Sequence, residues 1–368
     1  MRSPPASGNT RSLRLLVHVV PGLEDVAADE IASAMPGVEL VGAWKHFDER
    51  TSLLEYRTAG EPCRWLALGT VEDVFALAMR ARSLHTDRSG LHELAAATVT
   101  SKHLDRAMRA FTECRGGAPR TFRVVARQSG THAYRRVDAQ RAVEGALRTR
   151  LARLRLVADE ADAEFWLTLV GREALVGLRL STHRMRGHAY PFDSLPASLK
   201  PTVARAMVRL SHPRAADVVL DPLCGAGTLL IERALAAEYS ALYGGDRDPA
   251  AAAMARANAR AAGVPIDVQE WDALALPLPE SSVDIVLANP PFGKKVAIND
   301  DPYAFYGRLV AELRRVLRPG GRLVLITSQA DAFRHSVAAL RSPLIVRRRI
   351  PVLVRGERAT IFVATADR

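Results

Sequence analysis

The stretch DVVLDPLCGAGTLLIERALA, residues 217–236, decides the fold. A short apolar run ends in an acid, a turn with two glycines follows, and apolar helix formers come next. That order predicts a buried strand, a tight loop and a helix. Gly225 and Gly227 let the backbone approach a ligand closely, because glycine carries no Cβ and tolerates positive φ. A helix opening there aims its first free N–H groups into the same space. The spacing is neither the GxGxxG of a dinucleotide site nor the GxxxxGK[ST] of a P-loop. Asp221 adds an acceptor that would attract an ammonium group and repel phosphate.

Reading outward, the same texture continues. ALYGGD (241–246) precedes a helix, PAAAAMARANARAAG (249–263). PIDVQEWD (265–272), VDIVLANPPF (283–292) and RLVLITS (322–328) keep the alternation, and LIVRRRIPVLV (344–354) with ATIFVA (359–364) closes the chain as two strands. Strands spaced by helices imply a mostly parallel sheet with ligands at its carboxyl ends. The chain before residue 200 reads differently. LRLLVHVV (13–20), a helix to about Met35, VELVGAW (38–44), TSLLEYR (51–57), helical CRWLALG (63–69) and VFALAM (74–79) predict a β-α-β-β-α-β ferredoxin-like unit over 13–90. A second α+β unit over 91–182 holds helices at LHELAAA and 103–113, a strand TFRVVAR, an Arg-rich helix over 137–154, and a hairpin from FWLTLVG and EALVGLRLS. Segment 183–200 is rich in Pro and Gly and reads as a linker. Residues 1–12, MRSPPASGNTRS, read as a disordered start with no secretory h-region.

Of 368 residues, 48% are hydrophobic, enough to bury substantial cores, and the net charge is +11. No apolar run approaches the ~18 residues of a membrane span. The charge is uneven. Residues 1–100 hold 10 basic and 13 acidic side chains, whereas 101–190 hold 18 and 9, a surplus of +9. A concentrated surplus favours a dedicated module for a polyanion. Arg141, Arg148, Arg150, Arg153 and Arg155 fall mostly on the polar side of the 137–154 helix, and the first four are its candidate polyanion contacts. Cys63, Cys114 and Cys224 show no CxxC spacing, so neither a disulfide framework nor a zinc site is expected. No histidine shows ligand spacing either. The expected cofactor set contains no metal, and the expected setting is cytoplasmic.

The chemistry gathers at four strand ends. Asp221 suits an ammonium group. Asp246, 25 residues on, suits a pair of ribose hydroxyls. Asp272 could accept a hydrogen bond from an adenine amine. Asn289-Pro290-Pro291-Phe292 ends the fourth strand as a rigid loop, since proline continues neither a helix nor a sheet ladder. It offers one carboxamide, one free carbonyl and one ring face, a set that suits a planar group bearing NH2. Together these ends fit S-adenosylmethionine beside such a group. Lys294 and Lys295 either meet phosphates beside the target or form an exposed loop. Tyr303, Phe305 and Tyr306 could flank the target base, but aromatics at helical spacing read more often as core, and Arg347, Arg348 and Arg349 read as a solvated edge. Cys224 has no identifiable base nearby and is not read as a nucleophile.

DPLCGAGT, GGD, WDA and NPPF resemble successive motifs of class I methyltransferases, and NPPF marks those that methylate amines. FRVVARQSGTHAY resembles part of a THUMP RNA-binding domain. VVPGLEDVAADEI and PASLKPTVARAM resemble flanking segments of THUMP-containing RNA guanine-N2 methyltransferases. The resemblance implies a Rossmann-like domain with a seven-stranded sheet over 201–368, a THUMP domain over 91–182, and S-adenosylmethionine as cofactor. It implies a cofactor site at Asp221, Cys224, Gly225, Ala226, Gly227, Thr228, Asp246, Arg247, Asp272, Ala273 and Asn289. Catalysis would fall to Asn289, Pro290, Pro291 and Phe292. The implied substrate is a guanine N2 amine in tRNA, near the acceptor stem, with position 6 ahead of position 10, and the implied protein is a monomer. Large-subunit ribosomal RNA guanine or adenine N6 are the alternatives, ahead of a non-catalytic RNA-binding protein.

Overall fold

The computed structural model describes residues 12–45, 51–182, 185, 187, 190, 192–195, 198–291, 301–354 and 356–367. It divides into two compact units, one of residues 1–19 with 28–185 and the other of 20–27 with 186–368.

The N-terminal half runs β1 (Leu13–Val19), α1 (Glu24–Ala34), β2 (Glu39–Trp44), β3 (Ser52–Thr58), a 3-10 turn (Pro62–Ala67), β4 (Asp73–Ala81), α2 (Ser89–Thr100), α3 (Leu104–Arg115), β5 (Thr121–Ser129), α4 (Arg136–Arg150), β6 (Arg155–Leu156), β7 (Ala163–Val170) and β8 (Glu173–Arg179). These strands form one eight-stranded sheet in the order β2-β3-β1-β4-β8-β7-β5-β6. Antiparallel pairing of β4 with β8, Phe75 opposite Arg179 through Ala81 opposite Ala174, joins the two stretches read separately above. The helix expected at CRWLALG is a single 3-10 turn entered through Pro62, with Trp65 buried.

Two expectations are corrected here. The Arg-rich helix ends at Arg150, so Arg153 lies beyond it in an exposed turn. Cys63 and Cys114 are joined in a disulfide, their Cα atoms 5.0 Å apart. The 3-10 turn and the end of α3 bring together two cysteines 51 positions apart. Motif spacing detects only ligand sets close in sequence, so nothing local marks this pair. Cys224 is free and buried.

The second half runs α5 (Pro201–Leu210), β9 (Val218–Asp221), α6 (Thr228–Ala236), β10 (Ala241–Asp246), α7 (Pro249–Ala261), β11 (Asp267–Glu270), β12 (Val283–Ala288), α8 (Pro302–Val316), β13 (Leu317–Thr327), α9 (Ala330–Ala338), β14 (Leu344–Val354) and β15 (Glu357–Ala366). Its sheet has the order β11-β10-β9-β12-β13-β15-β14. The first four pairings are parallel. β15 runs antiparallel to both neighbours, so the sheet is mixed and mostly parallel. Val219, Leu220, Ile285, Val286, Leu287 and Leu323–Ile326 are fully buried, which is why these strands read as unbroken apolar runs. Chain order reverses between β9 and β12, the place where open α/β sheets hold ligands. Helix starts are marked locally: Pro249 at the first turn of α7 follows Asp248, whose carboxylate accepts the Ala250 N–H at 2.9 Å. Arg347, Arg348 and Arg349 are exposed on the edge strand β14, as read from the sequence.

Candidate functional site

A cavity of about 590 Å³ opens at the carboxyl ends of β9, β10, β11 and β12, within the range of small-molecule sites. Its wall includes Asp221, Cys224, Gly225, Ala226, Thr228, Asp246, Arg247, Asp272, Ala273, Asn289 and Pro291. One space thus collects the four strand ends singled out in the sequence.

Each position has a local cause. Gly225 (φ 51°) and Gly227 (φ 85°) lie in the left-handed region, where a side chain would be strained. Gly225 borders the cavity. Gly227 does not, because it serves the helix behind: a Cβ there would lie 3.3 Å from Ala255 Cβ, so the missing side chain seats the loop against α7. The Asp246 carboxylate accepts the Gly225 N–H at 3.0 Å on one oxygen and the Asp248 N–H at 3.0 Å on the other. It therefore clasps the glycine loop to the start of α7, and its remaining lone pairs are available to a ligand's hydroxyls. Asp272 accepts the Leu274 N–H at 2.9 Å and stays exposed at the rim.

Asp221 is 1% exposed, and among the described residues its carboxylate accepts the Leu223 N–H at 3.2 Å. Burial, aided by Asp246, pushes its pKa up to about 8 against the effect of that N–H. A buried acid with such a raised pKa wants a cation beside it. Burial likewise pushes the Cys224 thiol up, so it is a neutral wall atom, not a nucleophile. The Thr228 hydroxyl, in the wall at the N-terminus of α6, is 5% exposed and has no hydrogen-bond partner among the described residues. A buried hydroxyl facing free helix N–H groups fits a ligand acceptor. The donor and acceptor set therefore suits the carboxylate, ammonium and ribose of S-adenosylmethionine.

Asn289 is half-buried at the end of β12, and Pro290 is buried beside it without bordering the cavity. Phe292, Lys294 and Lys295 lie outside the described residues. Tyr306 is core: it is fully buried and its hydroxyl shares a 2.6 Å bond with Thr327. Phe305 both packs against the core and borders the cavity, and Tyr303 is 48% exposed. Part of the stretch read as a linker also enters the site: Leu195, Ser198 and Leu199 border the cavity, the last two within the PASLKPTVARAM segment that carries the family resemblance. In the other half, Arg141, Arg148 and Arg153 are exposed, and Arg150 reaches Asp105 at 3.2 Å. Among the described residues no cluster of three metal-ligating side chains occurs, and no helix is long and apolar enough to cross a membrane.

The chain is 30% identical over 336 residues to the tRNA (guanine(6)-N2)-methyltransferase of Thermus thermophilus, an overlap of 89% of this chain and 93% of that one. The chain belongs to this methyltransferase family. A model of the RMKL-like methyltransferase domain matches residues 189–343. The crystal structure of TrmN from Thermus thermophilus superposes with a TM-score of 0.80 at 27% identity, covering 96% of this chain and 99% of that one. The mouse tRNA (guanine(6)-N(2))-methyltransferase THUMP3 is 31% identical over 237 residues, 60% of this chain. The chain spans about half the length of its mammalian relatives, 46% in that case. The family fold places the glycine loop, Asp246 and Asn289 in a class I methyltransferase sheet.

Proposed function

We propose that the protein methylates the exocyclic N2 amine of a guanosine in tRNA, near the acceptor stem, with S-adenosylmethionine as donor. Position 6 is the first choice and position 10 the second. The observation that carries this reading is the convergence of Asp221, Asp246, Asp272 and Asn289 on one cavity at the switch point of the sheet. Asp221 would hold the ammonium, Asp246 the ribose and Asp272 the adenine amine. The bound donor supplies an electrophilic methyl on a sulfonium.

The protein's task is then orientation. A guanine amine is a weak nucleophile because its lone pair is delocalised into the ring. The Asn289 side-chain oxygen and the Pro290 carbonyl would accept its two N–H groups, and that pairing favours a more tetrahedral nitrogen aimed at the methyl. As the N–C bond forms, the S–C bond breaks and the sulfonium charge disappears. The alkylated nitrogen is then acidic enough to lose its proton to water. Alignment supplies most of the rate, so no strong base is needed. Phe292 would stack on the base, which must leave its helix to enter such a cavity. A neutral Asn at 289 suits a site whose positive charge falls during transfer.

The test incubates purified protein with labelled S-adenosylmethionine and unmodified tRNA, ribosomal RNA or DNA, followed by nucleoside analysis. N2-methylguanosine in tRNA alone is expected. Label in another pool, or N6-methyladenosine, overturns the substrate. Asn289→Ala is expected to lose about 100-fold or more in kcat while donor affinity stays within about twofold, the pattern of a group acting in the transition state.

A further inference from the structure

One polar side chain behind the cavity has no part in the chemistry above. Asn258 sits in the last turn of the alanine-rich helix α7 and is 2% exposed. Its Oδ1 accepts the Asp193 N–H at 2.9 Å. Its Nδ2 donates to the Asp193 carbonyl and to the Ala226 carbonyl, both at 2.9 Å. The carboxamide thus treats Asp193 as a strand partner would, engaging both its N–H and its C=O, and ties the same residue to the glycine loop. Ala255, one turn earlier on α7, seats Gly227. A single face of this helix therefore supports the glycine loop at two points.

The segment tied down in this way is the cavity's outer wall. The Leu195 N–H donates to Ser198 Oγ at 2.9 Å, and the Ser198 N–H donates to the Leu195 carbonyl at 3.0 Å, so the two residues hold each other in place. Leu195, Ser198 and Leu199 border the cavity. Leu195 Cδ1 lies 3.6 Å from where a Cβ on Gly225 would stand, so Leu195 packs directly over the loop. The Asn258 amide ties Asp193 to α7 through both its N–H and its carbonyl.

We propose that Asn258 is a positioning residue that fastens the 193–199 segment over the glycine loop and so sets affinity for S-adenosylmethionine, a role that rests on the cavity being the donor site. A buried side chain with three bonds cannot be removed cheaply. Its loss leaves the Asp193 N–H and both carbonyls to find new partners, and the wall is free to lift. Three bonds are lost together, so Asn258→Ala is expected to weaken donor binding about tenfold or more. Asn289 and Pro290 belong to another strand end, so kcat at saturating donor is expected to stay within about twofold.

Two readouts on the full-length protein test this. Hydrogen exchange is followed across residues 193–199, where Asn258→Ala is expected to speed exchange of the Asp193 and Leu195 amides while the sheet amides of β9 and β12 stay protected. Calorimetric titration with S-adenosylmethionine is expected to show the affinity loss, and steady-state kinetics to show a raised KM for the donor with an unchanged KM for RNA. Ser198→Ala provides a second variant that leaves α7 untouched. It removes only the Leu195 N–H to Ser198 Oγ bond, and a smaller affinity loss, about threefold, is expected from that one bond. Donor affinity within twofold of wild type in both variants, with exchange accelerated, overturns the role. So does unchanged exchange in a folded Asn258→Ala variant, or an unchanged Ser198→Ala affinity if Asn258→Ala fails to fold. Absence of donor binding by the wild type defeats the reading of the cavity itself, and that result is distinct because it appears before any substitution.

Discussion

Asp221 turns burial into a dependence on pH. Its carboxyl is raised to about 8 in the folded protein, by burial first and Asp246 second, against about 3.9 for an unfolded aspartate. Between these values the folded protein holds a proton that the unfolded chain has released. The stability linked to this group is therefore fully present below about pH 4 and is lost as pH rises towards 8. An ammonium placed against Asp221 reverses the preference and favours the carboxylate. Donor binding near pH 7 is thus expected to release close to one proton. Titrations in two buffers of different ionisation enthalpy would report that number directly. Asp221→Asn is expected to remove the release, flatten the rise of affinity between about pH 6 and 8, and weaken binding overall. Zero proton release by the wild type would contradict an ammonium at this position.

At the scale of elements, β10 and β11 meet at a contact with no slack. A Cβ on Gly245 would fall 1.4 Å from Trp271 Nε1, inside the indole. Trp271 packs with Leu220, Ala273 and Leu276 in the core beneath the sheet's carboxyl edge, and the Cys224 N–H donates to the Gly245 carbonyl at 2.8 Å. Gly245→Ala must therefore move the indole, and with it Asp246 and Asp272 on either side. Overpacking of this kind costs about 1–3 kcal/mol. A lower Tm and weaker donor binding are expected, with part of the loss recovered when Trp271→Leu is combined with it. An unchanged Tm in the single variant would show that the indole has another place to go. The same elements show what a sequence can and cannot disclose. β9, the glycine loop and α6 are legible because local pattern creates them: an apolar run, two glycines, a helix start. Asp246, Asp272 and Asn289 are legible because they close strands. Leu195 is not, since it lies in a Pro-rich stretch without periodicity, and the PASLKPTVARAM resemblance that covers Ser198 and Leu199 does not disclose that they line the cavity, because that follows from tertiary contacts. The disulfide between Cys63 and Cys114 and the pairing of β4 with β8 are hidden for the same reason: both are long-range contacts without a local signal.

Over the whole molecule, charge is the property that points to a partner. Residues 101–190 carry a surplus of +9 within a chain total of +11. In this region α4 buries Ala139, Val143, Ala146 and Leu147 and leaves Arg141 and Arg148 exposed. Arg150 is different: its guanidinium reaches the exposed Asp105 at 3.2 Å. A surface pair of that kind is weak, and a phosphate would compete with it readily. Guanidiniums on a solvated helix face can contact nucleic-acid backbone without reading bases, so in the proposed function they would supply affinity and leave base choice to the cavity. Each phosphate contact releases condensed counterions and contributes about 0.7–0.9 to the slope of log affinity against log salt. The double variant Arg141→Glu/Arg148→Glu is accordingly expected to weaken tRNA binding and to reduce that slope by about 1.5, measured by filter binding between about 50 and 200 mM salt. Donor affinity should not change, because the cavity residues all lie beyond position 190. A slope equal to wild type would move the RNA footprint off α4, whereas a changed donor affinity would mean that the substitutions disturb the fold and not the RNA surface.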